Sequence, residues 1–245
     1  VKLACDYLHT GKADMMLAGA VSAADPMFVN MGFSIFQAYP GNNVHAPLDK
    51  NSQGLFAGEG AGMMVLKRES DAMRDGDNIL AIIKGGALTN DGKGEFVLSP
   101  NTKGQVLAYQ RAYDDAGVDP ADVDFIECHA TGTPKGDKVE LASMESFFSA
   151  SENKPLLGSV KSNLGHLLTA AGMPGMTKTV LALNAGIIPP TINIKEALSS
   201  KNAYFGAAQI PTETVAWPSK ETSSQNQNRI AGVSVFGFGG SNAHL

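Results

Sequence analysis

The sequence has 245 residues, of which 43% are hydrophobic and 18% charged, with 27 glycines and a formal net charge of −5 at pH 7. That length admits one large domain or two small ones around a sizeable core, and the composition is that of a folded α/β chain rather than a disordered or fibrous one. An acidic balance with no basic run excludes the electrostatic footprint of a nucleic-acid binder. The most apolar stretches, MMLAGAV at 15–21 and MMVL at 63–66, fall far short of the roughly 18 to 20 residues that span a bilayer.

In chain order, VKLACDYLHTGK reads as the second half of a helix stopped by Gly11, and 13–21 as a strand buried on both faces of a central sheet. Residues 25–49 are loop-rich with short helical pieces. A strand over 63–67 and a brief helix ending at Asp75 and Gly76 follow, then another strand within NILAIIKGGALTND (78–91). The spacing of Val106, Tyr109 and Tyr113, with Gly117 as the stop, predicts a helix beginning at Asn101 or Thr102. VDFIECHAT (123–131) reads as a strand of mixed polarity, 137–149 as a helix, and PLLGSVK (155–161) as a buried strand. Thr169 is placed to cap a helix running to Asn184, with Gly186 just beyond it. The polar run 219–229 is expected as an exposed loop, and AGVSVFGFGG (231–240) as a strand feeding a glycine turn. Strands and helices interleave throughout, which predicts a layered α/β architecture without short-period repeats.

Cys5 and Cys128 form no CxxC pair and no closely spaced metal set with the histidines at 9, 45, 129, 166 and 244, so a reduced, cytoplasmic setting with no bound metal is expected. The sequence lacks an initial methionine and a targeting pattern, opens inside a helix and closes inside a strand and turn. A piece of a longer protein, incomplete at both ends, is therefore expected.

Three polar, glycine-bearing stretches follow buried strands, where α/β folds build their sites: ECHATGT (127–133), GSVKSNLGH (158–166) and FGFGGSNAH (236–244). Cys128 and His129 are adjacent, but neighbours on a strand point to opposite faces and cannot share the hydrogen bond that a nucleophile and its base require. Cys128 is then a small buried hydrophobe; a Cys/His hydrolase would need it reactive. Cys5, inside an amphipathic helix, has no feature that would lower its pKa. His129 alone could be a structural strand-end residue or a ligand-facing one, given the hydroxyls of Thr131 and Thr133. Lys161 and His166 could together stabilise a developing oxyanion. Asp137 and Glu140 have the spacing of a capping box at a helix start. GFGG completes no phosphate-loop pattern and could be a tight turn or an apolar gate.

In this order and spacing, ECHATGT, KSNLGH and GFGGSNAH resemble the signature of the β-ketoacyl-acyl carrier protein synthases, condensing enzymes of the thiolase fold. PLDKNSQGLFAGEGAGMMVLKR (47–68) is similar to the family's segment after its nucleophile, so the resemblance covers essentially the whole chain. Within the family, IKGGALTNDGKGEFVLSPNTKGQ and ECHATGTPKGDKVELASMESFF resemble the ketosynthase region of bacterial omega-3 polyunsaturated fatty acid synthases, in the large subunit that also carries a chain-length-factor domain.

The resemblance implies a thiolase-like layered α-β-α fold, with 1–88 the remainder of an N-terminal half and 89–245 a C-terminal half. It implies decarboxylative Claisen condensation of a malonyl extender, held on an acyl carrier protein, with an enzyme-bound acyl thioester. His129 and His166 would assist decarboxylation and stabilise the thioester oxyanion, and Lys161 would order the surroundings of His166. Thr131 and Thr133 would hold the phosphopantetheine arm, Glu140 would organise the site, and Phe238 would gate the acyl pocket. No cofactor would be bound directly, because the phosphopantetheine belongs to the carrier protein. The implied partners are that carrier protein and a second ketosynthase or chain-length-factor domain in a dimer. Two departures stand out: Cys128, His129 and Ala130 replace the usual Ala-His-Gly, and the family's nucleophilic cysteine would lie upstream of Val1. A non-catalytic chain-length factor is the alternative reading, although such partners tend to lose the catalytic groups retained here.

Overall fold

A computed structural model describes residues 1–23, 26–92, 99–151, 153–218 and 229–245. The loop expected over 219–229 therefore lies, all but Arg229, outside the described residues. In chain order the elements are α1 (Lys2–His9), β1 (Met15–Ser22), α2 (Pro26–Ile35), β2 (Gly60–Lys67), α3 (Glu69–Asp75), β3 (Ala87–Asn90), α4 (Thr102–Ala116), β4 (Phe125–Glu127) and α5 (Pro134–Phe148). Then come β5 (Leu156–Gly158), α6 (Lys161–Leu164), α7 (Gly172–Ala185), β6 (Ile187–Ile188), β7 (Val215–Ala216), β8 (Ala231–Phe236) and β9 (Ser241–His244).

A five-stranded mixed sheet in the order β3-β9-β8-β4-β5 forms the middle layer. Strands β5, β4 and β8 run parallel, and β9 turns back antiparallel between β8 and β3. The alternation of side chains along β4 sorts the two outer layers. Phe125 packs with Ala182 of α7 and with Trp217, and Glu127 meets Lys178 of the same helix. Ile126 and Cys128 point the other way, into a core with Tyr109 of α4 and with Leu141, Met144 and Phe148 of α5. The result is helices, sheet, helix, with the strand ends of β4 and β5 side by side.

Helix α4 follows its sequence signals closely: the Asn101 side chain accepts from the Lys103 amide, and Gly117 closes the helix in the left-handed conformation at φ 60°. Other elements depart from expectation, among them the strand expected over 155–161, which ends at Gly158, Lys161 opening α6 instead. The strand over 15–22 pairs antiparallel with β2, from Met15 opposite Lys67 to Ser22 opposite Gly60. It is buried on one face only, Leu17 and Val21 being 63% exposed, because an unbroken apolar run does not reveal whether both faces are covered. Within 78–91 only Ala87–Asn90 enters a ladder, the extent of its pairing with β9. Helix α5 starts at Pro134, with Thr133 preceding it, rather than at Asp137, since proline is well tolerated in a first helical turn. Thr169 does not cap α7; its hydroxyl donates to the Val21 carbonyl at 2.7 Å, and the helix begins at Gly172.

Candidate active site

The chain leaves β4 at Glu127 and turns through residues 128–133 onto the start of α5. Two carboxylates of that helix hold the turn. Glu140 accepts the amide of His129 on one oxygen and that of Ala130 on the other, each at 2.7 Å. Asp137 accepts from Gly132 at 3.1 Å and from Leu48 at 2.9 Å. Neither forms the expected capping box, because both lie inside the helix and reach the preceding loop instead of the helix's own first turn. Burial pushes Glu140 up to about 7 and Asp137 up to about 6, against the opposing pull of those amides. Gly132 is required at the apex: its φ is +85°, and a Cβ would lie 2.6 Å from the Gly54 carbonyl oxygen.

The neighbouring strand end carries the second set. After β5, Ser159 donates to the Ala130 carbonyl at 2.9 Å and so ties the two loops together. Lys161, buried at the start of α6, lies among the negative charges of Glu127, Glu140 and Asp137, while burial lowers its pKa. Gly165, at φ 76°, then passes the chain beneath the 56–58 segment, where the His166 amide donates to Phe56 at 2.7 Å and Gly58 donates to His166 at 2.9 Å. Leu168, left-handed at φ 45°, directs its amide onto Nδ1 of His166 at 2.9 Å. A ring nitrogen that accepts an N–H carries no proton, so the neutral His166 ring bears its proton on Nε2.

The rings of His129 and His166 meet edge to face, with centroids 5.3 Å apart. Burial, followed by the positive charge of Lys161, pushes both imidazoles down, His166 to about 3 and His129 well below its usual value. Both are thus neutral at physiological pH. The hydroxyls of Thr131 and Thr133 lie 3.0 Å apart on the same turn. Two neutral N–H donors next to a fixed cation suit a site where negative charge develops on an oxygen.

Six of the seven residues singled out from the sequence, His129, Thr131, Thr133, Glu140, Lys161 and His166, are therefore gathered at the two strand ends. Phe238 lies on the turn between β8 and β9; it is 60% exposed, its ring 6.1 Å from that of Phe33 in α2. Cys128 is fully buried in the core and its thiol is pushed well above the usual value, while half-buried Cys5 is also raised by burial. His244, from the third motif, is a core residue, with Ser234 at 3.0 Å and Tyr113 at 3.4 Å. Sequence reasoning missed Glu127, which accepts the Val160 amide at 2.6 Å and pairs with Lys178 at 2.8 Å. A carboxylate in the otherwise apolar run FIEC (125–128) was the available signal, since buried acids need partners.

Residues 1–72 match the N-terminal domain of beta-ketoacyl synthases and residues 80–195 match their C-terminal domain. The chain belongs to the β-ketoacyl synthase family. This ketosynthase chain is 43% identical over its whole length to one of the polyunsaturated fatty acid synthase subunits of Thraustochytrium sp., spanning 12% of that protein. It is 38% identical to a phenolphthiocerol/phthiocerol polyketide synthase of Mycobacterium bovis, spanning 13% of it. Among solved structures, the PfaC keto synthase-chain length factor superposes on 99% of the ketosynthase chain with a TM-score of 0.95 and 79% identity, the match covering 26% of that protein. The ketosynthase from module 6 of the bacillaene synthase of Bacillus subtilis 168 superposes with a TM-score of 0.88 at 34% identity, over 44% of its chain. The layered thiolase-like α/β fold expected from the resemblance is shared with these structures. No helix among the described residues is long and apolar enough to cross a membrane.

Proposed function

We propose that, within its full-length protein, this ketosynthase region performs decarboxylative Claisen condensation in polyunsaturated fatty acid or polyketide synthesis. The observation that carries the reading is the pair of neutral imidazoles at the two strand ends, with Nδ1 of His166 engaged by Leu168 and its Nε2 proton free to donate. The thioester carbonyl oxygen of a malonyl group accepts N–H from His129 and His166. As the bond to the carboxylate breaks and carbon dioxide leaves, its electron pair passes into the enolate held by those donors. The enolate carbon then attacks an enzyme-bound acyl thioester, a carbon–carbon bond forms, and the enzyme thiolate departs.

Lys161 supports this by adding positive charge next to both rings. Thr131 and Thr133 take the role of hydrogen-bonding the phosphopantetheine arm of the substrate's acyl carrier protein, and Phe238, on its exposed glycine turn, that of gating the acyl pocket. No directly bound cofactor is invoked. The thiolate comes from a cysteine in a segment preceding Val1, because Cys128 is sealed in the core and Cys5 sits on a helix with a raised pKa. The same reading divides the chain near residue 88, pairs it with a second ketosynthase or chain-length-factor domain, and places it in the cytoplasm.

The alternative, a non-catalytic chain-length factor, draws on the related structure whose name joins a keto synthase to a chain length factor. One experiment separates the two. Full-length protein is incubated with a labelled acyl thioester and the labelled peptide is mapped. Label on a cysteine upstream of Val1 is expected; no label at all would indicate the chain-length factor, and label on Cys128 would overturn both readings.

A further inference from the structure

Between the two site loops lies a buried histidine that belongs to none of the three motifs. His45 sits on the irregular stretch between α2 and β2, 6% exposed. Its Nε2 is 2.8 Å from the main-chain oxygen of Thr131, and since a carbonyl can only accept, the ring nitrogen donates. The ring also lies close to the backbone of Lys161. Its own carbonyl accepts from the side chain of Asn193 at 3.0 Å, and its ring meets Phe56 edge-on at 6.0 Å. Phe56 in turn receives the His166 amide. The ring also presses on the apex of the first loop, where a Cβ on Gly132 would lie 3.1 Å from its Cδ2.

We propose that His45 is a positioning residue for the decarboxylating half of the reaction, an uncharged brace that sets the loop of His129 and Thr131 against the loop of Lys161 and His166. The inference rests on the ketosynthase reading above. Its chemistry needs two N–H donors from separate loops to converge on one oxygen, and a displacement of about 1 Å can cost roughly a hundredfold in rate. Thr131 lies in the middle of the first loop, so a donor fixed on its carbonyl controls where that loop stands. Buried between Lys161 and His166, the ring holds this place in its neutral form, adding no charge beside the donors.

The test uses the full-length protein and measures two half-reactions separately: acyl transfer from a thioester to the enzyme, and decarboxylation of malonyl-carrier protein. His45→Phe keeps a ring but removes the donor, and His45→Gln restores a donor without charge. The expected result is that His45→Phe lowers decarboxylation by about tenfold or more while acyl transfer stays within about twofold, and that His45→Gln recovers most of the loss. Parallel loss of both half-reactions without rescue by Gln, or unchanged decarboxylation in the Phe variant, would overturn the proposal. If the Phe variant does not fold, His45→Asn replaces it, since its amide is one methylene too short to reach Thr131; equal activity of the Asn and Gln variants then sinks the idea. A wild-type protein that neither accepts acyl groups nor decarboxylates malonyl would instead refute the ketosynthase reading.

Discussion

Glu140 sends its two oxygens to consecutive amides, those of His129 and Ala130, from a helix packed beneath the turn that carries the site. Replacing it with alanine strands two buried donors, each costing about 1 to 3 kcal/mol, so Glu140→Ala should lower the thermal inactivation temperature of the full-length protein markedly and abolish activity. An unchanged inactivation temperature would contradict this clamp. Protonation adds a second test. A carboxyl raised from 4.5 to about 7 by burial contributes stability that is complete below 4.5 and is lost as pH rises through about 7. The uncharged Glu140→Gln side chain loses nothing over that range. The stability advantage of wild type over Glu140→Gln should therefore shrink between about pH 5 and about pH 8, by up to about 1.4 kcal/mol per pH unit within the titration. Thermal inactivation at the two pH values measures it, and a widening advantage would show that the sign is wrong.

At the scale of elements, the loop of 128–133 depends on Gly132. Gly132→Ala adds a left-handed alanine and a Cβ 2.6 Å from a carbonyl oxygen that belongs to another segment of backbone. A loss of about 2 to 4 kcal/mol is expected from strain and overlap together, read as a lower inactivation temperature; wild-type stability would refute the close approach. The ion pair of Glu127 and Lys178, 2% and 9% exposed, joins β4 to α7. Removing one charge from such a pair costs about 3 to 5 kcal/mol, more than replacing both with apolar groups. Lys178→Met should thus destabilise the protein more than the double change Glu127→Leu with Lys178→Met, and the reverse order would show that Glu127 acts mainly through the Val160 amide. Helix α4 was legible in the sequence because Asn101, the apolar spacing and Gly117 are local signals. The contacts of Asp137 and Glu140 were not, since a D-x-x-E spacing looks the same whether a helix begins at the aspartate or three residues earlier. What decides between them is a contact with Leu48, 89 positions away. The two histidines were legible as a pair only through their motifs; their 5.3 Å approach depends on Gly165 and on the 56–58 segment, which no local pattern specifies.

Across the whole molecule, the paired strands β1 and β2 leave one face open, with Met15, Leu17, Val21, Met63 and Val65 each more than half exposed. Contiguous apolar surface of this kind is normally covered by other protein, and most of the curated relatives' length lies outside the region matched here. Expressed alone, these 245 residues should bind a hydrophobic dye and melt broadly; a sharp cooperative melt without dye binding would contradict that. The Val21 end of the paired strands meets the segment just after His166, through the Thr169 hydroxyl, and the proposed chemistry lies at the ends of β4 and β5, where two neutral imidazoles converge beside a buried lysine. The most direct measurement is malonyl-carrier protein decarboxylation by the full-length protein with His129→Ala or His166→Ala. Loss of one oxyanion donor is expected to slow it by about a hundredfold or more in each variant; decarboxylation at the wild-type rate in either one would contradict the assignment of that histidine.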